Sequence, residues 1–286
     1  MATNGSISWS TNCCSAFADA LSRRLGQPTR GKTAPQRLRR TDTFIALDGV
    51  LRRSHPRYLD VGFGEDATTV IETFERLGPT HPRLCVVGIE IDRARVAVAL
   101  PLAVAGSIEF VRGGFEAAER HGPAGVIRAM NVLRQYDERD HTEAVATMAR
   151  GLAPDGVLLE GTSSPSGRLL CANVYRRRGD AVSFDGLLFA PNPRRTWNPR
   201  ELQTVLPKNW IHHCEPGSAL DAFFGAFEKS VGAARRAELE SAAVAKRVVG
   251  DLEDAGYRCD RRPALVRRSL FIVRDPLGVE PSLVRT

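Results

Sequence analysis

The sequence predicts an α/β fold: a doubly wound, mostly parallel sheet with helices on both faces. Short apolar runs alternate with amphipathic stretches between residues 57 and 161, which is typical of parallel strands joined by crossover helices. Two of these runs, 58–61 and 86–89, stop abruptly at a glycine or a carboxylate. Buried parallel strands end in this way at the carboxyl edge of a sheet, where α/β proteins bind ligands.

Five strands alternate with helices in this region and form the core of the predicted fold. The strands are expected at residues 57–61, 84–90, 108–111, 125–132 and 156–161. The helices are expected at residues 66–77, 92–101 and 138–151. Farther along the chain, a helix at 234–254 and strands near 256–260 and 267–274 complete a sheet of seven strands that ends in an antiparallel hairpin.

Two further segments flank and interrupt this core. Residues 1–54 form an N-terminal helical and basic extension, with helices expected at 11–26 and 41–53. Residues 162–230 contain a predicted hairpin, 169–175 with 181–189, and a proline-rich loop. Because loops over the carboxyl edge build the active site in such folds, we interpret this insertion as a substrate lid. The remaining core consists of residues 55–161 and 231–286.

The residue types at the predicted carboxyl edge indicate a nucleoside-binding site. Gly62 and Gly64 follow the first strand and let the backbone approach a ligand without a Cβ in the way. Glu90 closes the second strand, and its carboxylate can accept hydrogen bonds from the adjacent hydroxyls of a ribose. The two motifs together therefore predict a bound nucleoside.

The charges beside the glycine turn distinguish between two such ligands. A dinucleotide site requires the spacing G-x-G-x-x-G, but the third position here is Ala67. Glu65 and Asp66 would lie where the pyrophosphate binds and would repel it. S-adenosylmethionine carries a cationic sulfonium and an ammonium group that tolerate these carboxylates, so the charges favour the methyl donor.

These segments resemble the motifs of the class I S-adenosylmethionine-dependent methyltransferases, whose fold is Rossmann-like. The stretch YLDVGFGEDATTVIETF is similar to the first motif of that family, and VVGIEID is similar to the second. The stretches IEFVRGGFEAAE, GVIRAMNVLRQY and MARGLAPDGVLLEGTS resemble the adenine-binding strand and loop, the fourth strand, and the helix and strand that follow. The likeness spans about residues 55–165 and implies S-adenosylmethionine as the cofactor.

The resemblance also implies roles for individual residues. The residue that binds the ribose hydroxyls is Glu90, with Asp92 as a substitute, and Asp60 lies near the methionine part of the cofactor together with the glycines. The residues expected to bind the cofactor are Asp60, Gly62, Phe63, Gly64, Glu90, Ile91, Gly114, Phe115 and Asn131.

Two positions depart from the pattern of the family. Gly114 stands where the family often has an aspartate on the adenine amino group, and Gly125 stands where the fourth strand usually opens with an aspartate. The amide or the ring of Phe115 is expected to hold the adenine instead.

Three residues are candidates for catalysis, and each has a structural alternative. Asn131 ends the fourth strand and either contacts the reacting groups or caps the strand end. Arg128, within that strand, either binds an acidic substrate or pairs with an acid of the core. His212, in the predicted lid, is either a general base or a structural histidine without a catalytic role.

The basic charge of the chain is concentrated in one segment. The formal net charge is +7, and residues 23–57 alone contain ten arginines and lysines against two aspartates. Such a segment beside a cofactor site either grips phosphates, as in an RNA methyltransferase, or is a solvated face. Few aromatic residues are interleaved with it, unlike a platform for single-stranded nucleic acid, so we favour the second interpretation.

The remaining composition bounds the compartment and the cofactors. The six cysteines are scattered without a C-x-x-C pair, which fits a reducing cytoplasm. Side chains of the consecutive residues 212–214 (HHC) cannot converge on one ion from a strand, so no metal site is predicted. No apolar run approaches membrane-spanning length, and no secretory signal opens the sequence, so we expect a cytoplasmic protein.

The leading hypothesis is therefore methyl transfer from S-adenosylmethionine to a small molecule enclosed by the lid. Two alternatives stay open: an RNA methyltransferase that uses the basic segment 23–57, and a module that binds the cofactor without chemistry.

Overall fold

The computed structural model describes residues 33–194 and 197–274. The predicted helix 11–26 and the basic residues before Thr33 lie outside this part of the chain. Within it, nine strands form one sheet. The strands are β1 Arg57–Val61, β2 Cys85–Glu90, β3 Ile108–Arg112, β4 Ala124–Met130, β5 Leu152–Ser163, β6 Leu170–Arg178, β7 Ala181–Phe189, β8 Arg258–Cys259 and β9 Phe271–Arg274.

Ten α-helices accompany the sheet in the described residues, together with short 3₁₀ turns. They are α1 Arg39–Asp48, α2 Val50–Arg53, α3 Thr68–Leu77, α4 Arg93–Ala99, α5 Ala117–Arg120, α6 Glu138–Ala149, α7 Lys208–Ile211, α8 Ala219–Arg236, α9 Ser241–Asp254 and α10 Pro263–Val266. None of the helices in this part of the chain has the length and apolar character needed to cross a bilayer.

The strand order is β3-β2-β1-β4-β5-β6-β7-β9-β8. The ladders from β3 to β5 are parallel, and those from β5 to β8 are antiparallel. Because β1 pairs with both β2 and β4, the chain changes its direction of travel across the sheet between these two strands. A crevice opens at the carboxyl ends of the strands at such a switch point.

The prediction of an α/β sheet with helices on both faces is confirmed, with corrections to its size and character. The structure has nine strands where seven were predicted, and only half of its ladders are parallel. The predicted hairpin of the insertion is the main source of the difference, because it pairs with β5 and lies in the sheet as β6 and β7. Its side chains are apolar on both faces, and so it is buried on both: Val174 enters one core and Cys171 the other.

The two faces of the sheet are covered by different helices. Tyr58 of β1 packs in a core with α1 and α3, whereas its neighbour Leu59 packs in a second core with α6. This alternation follows from the strand period of two. A third core, rich in aromatic rings, lies between α8 and α9 and the antiparallel strands, with Phe223 stacked on Phe189 at a centroid distance of 5.2 Å.

Two predicted helices are interrupted. The predicted helix 41–53 is divided by Gly49, whose positive φ of 75° ends α1 in the left-handed region. The predicted helix 234–254 is in fact the end of α8 and the whole of α9, separated by a turn in which Glu238 has a φ of 52°. Most of α8 falls in the segment that was predicted to be an insertion.

Residues 190–218, between β7 and α8, form what we call the cover segment; residues 195 and 196 lie outside the described structure. A buried hydrogen-bond network connects this segment to the sheet. The indole nitrogen of Trp210 donates to Asn173 Oδ1 at 2.6 Å, and Asn173 Nδ2 donates to Glu160 Oε2 at 2.8 Å. His141 Nε2 lies 2.9 Å from the same oxygen. Each of these four side chains has a hydrogen-bond partner, so the network holds the cover segment on β5 and β6.

The antiparallel half of the sheet also holds a closed ring of alternating charges. It joins the end of α1, strands β6, β7 and β9, and the loop after β8, with every N···O distance at 3.4 Å or less. Around the ring the members are Asp48, Arg176, Asp185, Arg274, Asp260 and Arg262. Arginine suits this arrangement because its planar fork can contact two carboxylates at once.

The three aspartates of the ring have lowered pKa values. Burial by itself would raise the pKa of Asp48, Asp185 and Asp260, but the arginines around each carboxylate lower it by more. A carboxylate whose pKa is lower in the folded than in the unfolded state stabilises the fold above its unfolded pKa, and this stabilisation is lost as the pH falls through the folded pKa.

We therefore predict that the free energy of unfolding falls as the pH is lowered from 5 toward 2, measured by urea titration at each pH. Asp185→Asn removes one charge of the ring and should cost about 2–3 kcal/mol at pH 7, since the arginines are partly exposed and a fully buried pair costs 3–5 kcal/mol. The pH dependence of this variant should be shallower than that of the wild type. The exposed Asp155→Asn is the matched control, and an equal loss in both variants would contradict the role of the ring.

Candidate functional site

The first structural feature of the site is a glycine turn between β1 and α3. Gly62 and Gly64 have φ values of 74° and 89°, which glycine adopts without the steric cost of a side chain. The Gly62 amide donates to Ile89 O of β2 at 2.7 Å. The turn therefore lies at the carboxyl edge and bridges the first two strands.

Glu90 at the end of β2 is turned toward this glycine loop. Its Oε2 accepts from the Gly64 amide at 3.1 Å, and its Oε1 accepts from the amides of Ile91 and Asp92 at 2.8 and 3.2 Å. The side chain of Glu90 is only 2% exposed. A carboxylate offers about four lone-pair positions, and three are used here, so the residue first of all holds the loop on the strand.

Asp92, the substitute considered for the ribose role, begins α4 instead. Its Oδ1 accepts from the amides of Ala94 and Arg95 at 2.8 and 3.1 Å, which is the N-cap arrangement. These backbone hydrogen bonds lower the pKa of Asp92. The capping role accounts for the position of this carboxylate.

Arg128 of β4 forms a bidentate ion pair with Asp60 of β1. Arg128 Nε and one terminal nitrogen donate to the two carboxylate oxygens of Asp60 at 2.9 and 2.8 Å, and Thr69 Oγ1 of α3 donates to Asp60 Oδ2 at 2.5 Å. The other terminal nitrogen of Arg128 donates to Asp42 Oδ1 of α1 at 2.7 Å. This cluster binds β1, β4, α1 and α3 together under the glycine turn.

The prediction that Arg128 takes part in catalysis is not supported by its position. Its side chain is fully buried at 0% exposure, and it does not line the pocket described below. Burial alone would lower the pKa of Arg128, but Asp60 and Asp42 raise it well above the ordinary value, so the guanidinium stays charged. Of the two predicted alternatives, the structure has the pairing with core acids.

Asn131 follows β4 and is linked to the end of β5. Its φ is 64°, in the left-handed region that asparagine tolerates better than most residues. Its Oδ1 accepts from the Ser163 amide at 2.9 Å, and its Nδ2 donates to Ser163 Oγ at 3.1 Å. Asn131 thus caps the strand end and also borders the pocket.

Arg37 was not among the predicted site residues. Its Nε and a terminal nitrogen donate to Ser163 Oγ and Ser163 O, both at 3.0 Å. Burial lowers the pKa of Arg37, but its ordinary value is so high that the side chain remains a cation. In the sequence, Arg37 is one of ten basic residues in the segment 23–57, and no local pattern distinguishes it from the other nine.

These residues surround a small pocket of about 60 Å³ at the switch point. Its lining consists of Thr33, Arg37, Leu38, Asp60, Gly62, Phe63, Gly64, Thr69, Met130 and Asn131. A volume of this size holds a carboxylate or an ammonium group, whereas a whole ligand needs several hundred cubic ångströms.

The residues predicted to bind the adenine lie on the β2 and β3 side of this edge. The Gly114 amide donates to Glu116 Oε1 at 3.1 Å. The ring of Phe115 packs edge-to-face on Tyr136 at 5.8 Å and is 7% exposed, so it is a core side chain rather than a free adenine platform. Ile91 is partly exposed beside Glu90.

His212 lies at the end of α7, on the outside of the cover segment. It is exposed, while the adjacent His213 has its Nε2 3.3 Å from Glu138 Oε1. Neither histidine lines the pocket. No cluster of histidine, cysteine, aspartate or glutamate in the described residues has the arrangement of a metal site.

The described arginines of the basic segment are largely engaged within the protein. Arg40 is buried and donates to Arg268 O and Ser269 O at 2.6 and 2.9 Å. Arg53 pairs with Asp48, and Arg57 pairs with Glu109 at 3.7 Å. These contacts favour a structural role for the segment over a nucleic-acid surface.

Comparison with known proteins adds the following. No protein-family model and no curated protein matches the chain. The chain is similar to the solved structure of the plantazolicin methyltransferase BamL in complex with a triazolic desmethylPZN analog and SAH, with a TM-score of 0.36 and 13% identity over 52% of this chain and 51% of that one. It is also similar to SAM-bound CalS10, an amino pentose methyltransferase from Micromonospora echinaspora involved in calicheamicin biosynthesis, with a TM-score of 0.33 and 18% identity over 66% and 79%.

A third similar structure is a putative sarcosine dimethylglycine methyltransferase from Galdieria sulphuraria, with a TM-score of 0.34 and 16% identity over 51% of this chain and 59% of that one. The chain spans about half the length of BamL and of the related BpumL.

We predict that Arg128→Met lowers the free energy of unfolding by about 3–5 kcal/mol, because it leaves the buried carboxylate of Asp60 without its cation and leaves Asp42 with Arg76 alone. Urea denaturation at pH 7 measures the loss. Arg52→Met is the matched control: it removes an exposed arginine of α2 and should change stability by less than about 0.5 kcal/mol. Equal effects of the two substitutions would contradict the importance of the cluster.

Substitution of Asn131 separates its backbone role from its side-chain role. Asn131→Ala should cost about 2–3 kcal/mol, from two lost hydrogen bonds and from a φ that alanine disfavours. Asn131→Gly loses the same hydrogen bonds without the steric cost, so it should be about 1 kcal/mol more stable than the alanine variant. The comparison is made by chemical denaturation, and an alanine variant at least as stable as the glycine variant would be inconsistent with the observed φ.

Proposed function

We propose that the chain binds S-adenosylmethionine at the switch point and transfers its methyl group to a small-molecule acceptor. The observation that carries this proposal is the contact between the glycine turn and Glu90, where the Gly64 amide lies 3.1 Å from Glu90 Oε2. This contact places the glycine turn, where a ligand can approach the backbone closely, next to a carboxylate that can accept hydrogen bonds from a sugar diol. The adjoining pocket has the size of the charged amino-acid group of the cofactor.

The charges around the turn support a sulfonium nucleoside over a dinucleotide. Asp66 Oδ1 accepts from the Thr68 amide at 3.2 Å, so a carboxylate occupies the start of α3, where a pyrophosphate would need free amides. Glu65 beside it is exposed. A cationic sulfonium is compatible with both side chains.

Glu90 can bind a ribose diol if the hydrogen bond from the Gly64 amide is replaced by one from a ribose hydroxyl. Glu90 accepts three amide hydrogen bonds, and Arg95 Nη1 lies 3.7 Å from its Oε2. About one lone-pair position therefore remains for a hydrogen bond, and a diol needs two. Release of the Gly64 amide, which glycine can reorient readily, would provide the second position. Glu90 therefore remains the residue proposed to hold the ribose.

The pocket suggests which residues would hold the amino-acid end of the cofactor. Arg37 lines it with a guanidinium that can donate two hydrogen bonds to a carboxylate in a bidentate pair. Asp60 also lines it, but both of its oxygens are bonded to Arg128, so its proposed role is to shape the pocket rather than to bind the ammonium group.

When bound, the cofactor would supply a methyl group activated on a sulfonium, and the protein would contribute position and exclusion of water. Asn131 is the predicted catalytic residue that borders the pocket, and its proposed role is to orient the acceptor. Arg134 donates to Thr204 O of the cover segment at 2.8 Å, which supports a cover beside the turn after β4. We propose that this segment encloses the acceptor.

We predict that the full chain binds S-adenosylhomocysteine with one-to-one stoichiometry in calorimetry, and that Glu90→Gln weakens this binding at least tenfold. Glutamine keeps the shape of the side chain but offers only one acceptor oxygen to the amides and the diol. The exposed Glu119→Gln serves as the control and should bind within twofold of the wild type.

The same titration with NAD tests the competing ligand. Wild-type affinity for NAD above that for S-adenosylhomocysteine would overturn the proposal, and so would unchanged affinity in Glu90→Gln. Binding without methyl transfer to a broad panel of small acceptors would instead favour a module that binds the cofactor without chemistry.

A further inference from the structure

A second and larger cavity lies on the same side of the protein as the small pocket. It has a volume of about 650 Å³, which is in the range of small-molecule sites. Its lining residues are Arg39, Ser166, Arg168, Asn192 and Arg194. They come from the start of α1, from the turn between β5 and β6, and from the beginning of the cover segment.

The cavity is strongly basic. Three of its lining residues are arginines, and Arg168 pairs with Glu201. Within the described residues, the guanidinium groups of Arg39 and Arg194 have no carboxylate at ion-pair distance. Among the described residues, the lining contains no carboxylate, so a ligand bound here meets an excess of positive charge together with the neutral donors of a serine and an asparagine.

The walls of the cavity are held by the backbone. The Asn192 amide donates to Arg168 O at 2.7 Å, and the Arg194 amide donates to Asn192 Oδ1 at 3.1 Å. The turn that carries Ser166 is closed by the Gly167 amide, which donates to Ser164 O at 2.9 Å. These hydrogen bonds fix the loops from which the arginines extend, and a fixed site loses less entropy when it binds a ligand.

The same segments border the small pocket at the switch point. Arg37, two residues before Arg39, bonds to Ser163, three residues before Ser166. At Gly167, an added Cβ would lie 2.2 Å from Arg37 O, so the two segments touch along this line. A ligand in the cavity would therefore lie next to the proposed cofactor, across the contact between Arg37 and Ser163.

We propose that this cavity is the acceptor site and that the acceptor is a small molecule with an anionic group, a carboxylate or a phosphate, bound by Arg39, Arg168 and Arg194. The proposal rests on the function proposed above, since it needs the cofactor at the neighbouring pocket. Guanidinium groups recognise planar or tetrahedral oxyanions through paired hydrogen bonds, and they hold such a group in a fixed orientation.

The test uses inorganic phosphate and citrate as probes of the two anion types, titrated calorimetrically into the full chain at a constant ionic strength of sodium chloride. We expect saturable binding of at least one probe by the wild type. The double substitution Arg39→Gln with Arg194→Gln should weaken this binding at least tenfold, and neither residue forms an ion pair with another described residue that the substitution would break. The probe that binds more tightly identifies phosphate or carboxylate as the preferred group.

The matched control is the double substitution Arg52→Gln with Arg139→Gln, which removes the same charge from exposed positions away from the cavity. It should bind the anion probe within twofold of the wild type. Equal losses in the two double variants would overturn the proposal, because they would reflect the overall charge. Absence of saturable binding of either probe would also overturn it.

Titration with S-adenosylhomocysteine separates this inference from the proposed function. Both double variants should keep the wild-type affinity for S-adenosylhomocysteine. A wild type that binds the anion but not S-adenosylhomocysteine would overturn the function and the assignment of the cavity as an acceptor site. A single-stranded oligonucleotide that binds tightly with a steep salt dependence, and displaces phosphate from the cavity, would overturn the small-molecule acceptor in favour of nucleic acid.

Discussion

The ion-pair cluster around Arg128 is the constraint on which the geometry of the site depends. A guanidinium without solvent contact can be tolerated only when carboxylates surround it, and Asp60 and Asp42 supply them from β1 and α1. Asp60 directly precedes the turn that carries Gly62, and Thr69 bonds the same carboxylate from α3. The glycine turn is thus fixed at both of its ends by one buried charge.

This cluster also changes how the N-terminal region should be described. The sequence predicted that residues 1–54 form an N-terminal helical and basic extension. In the structure, α1 contributes Asp42 to the buried cluster, Phe44 to the apolar core and Asp48 to the ring of charges. Its described part is a component of the core, and it brings Arg37 and Arg39 to the carboxyl edge of the sheet.

The features that could be predicted from the sequence are those that local patterns encode. The parallel strands, the glycine turn and the acidic end of β2 each lie within a few consecutive residues, so strand periodicity and turn chemistry were sufficient to locate them. The positive φ at Gly62 and the contact of Glu90 with the loop agree with that reading.

The features that could not be predicted depend on partners far apart in the chain. Arg128 is 86 residues from Asp42, and no pattern in the sequence connects them. The apolar pattern of the hairpin 169–189 predicted that its strands are buried, but this pattern did not determine whether they cover the sheet or extend it by pairing with β5. Arg37 gained its significance only from its contact with Ser163, 126 residues away.

The continuous antiparallel run from β5 to β7 has a consequence for how the molecule is assembled. These strands follow one another through short turns, so their pairing closes small loops and loses little chain entropy. The parallel strands are joined by crossover helices, so their pairing brings together residues that are far apart in the sequence, and such pairing forms slowly. We therefore expect the folding nucleus to form in the run from β5 to β7, with the parallel half of the sheet added onto β5 afterwards.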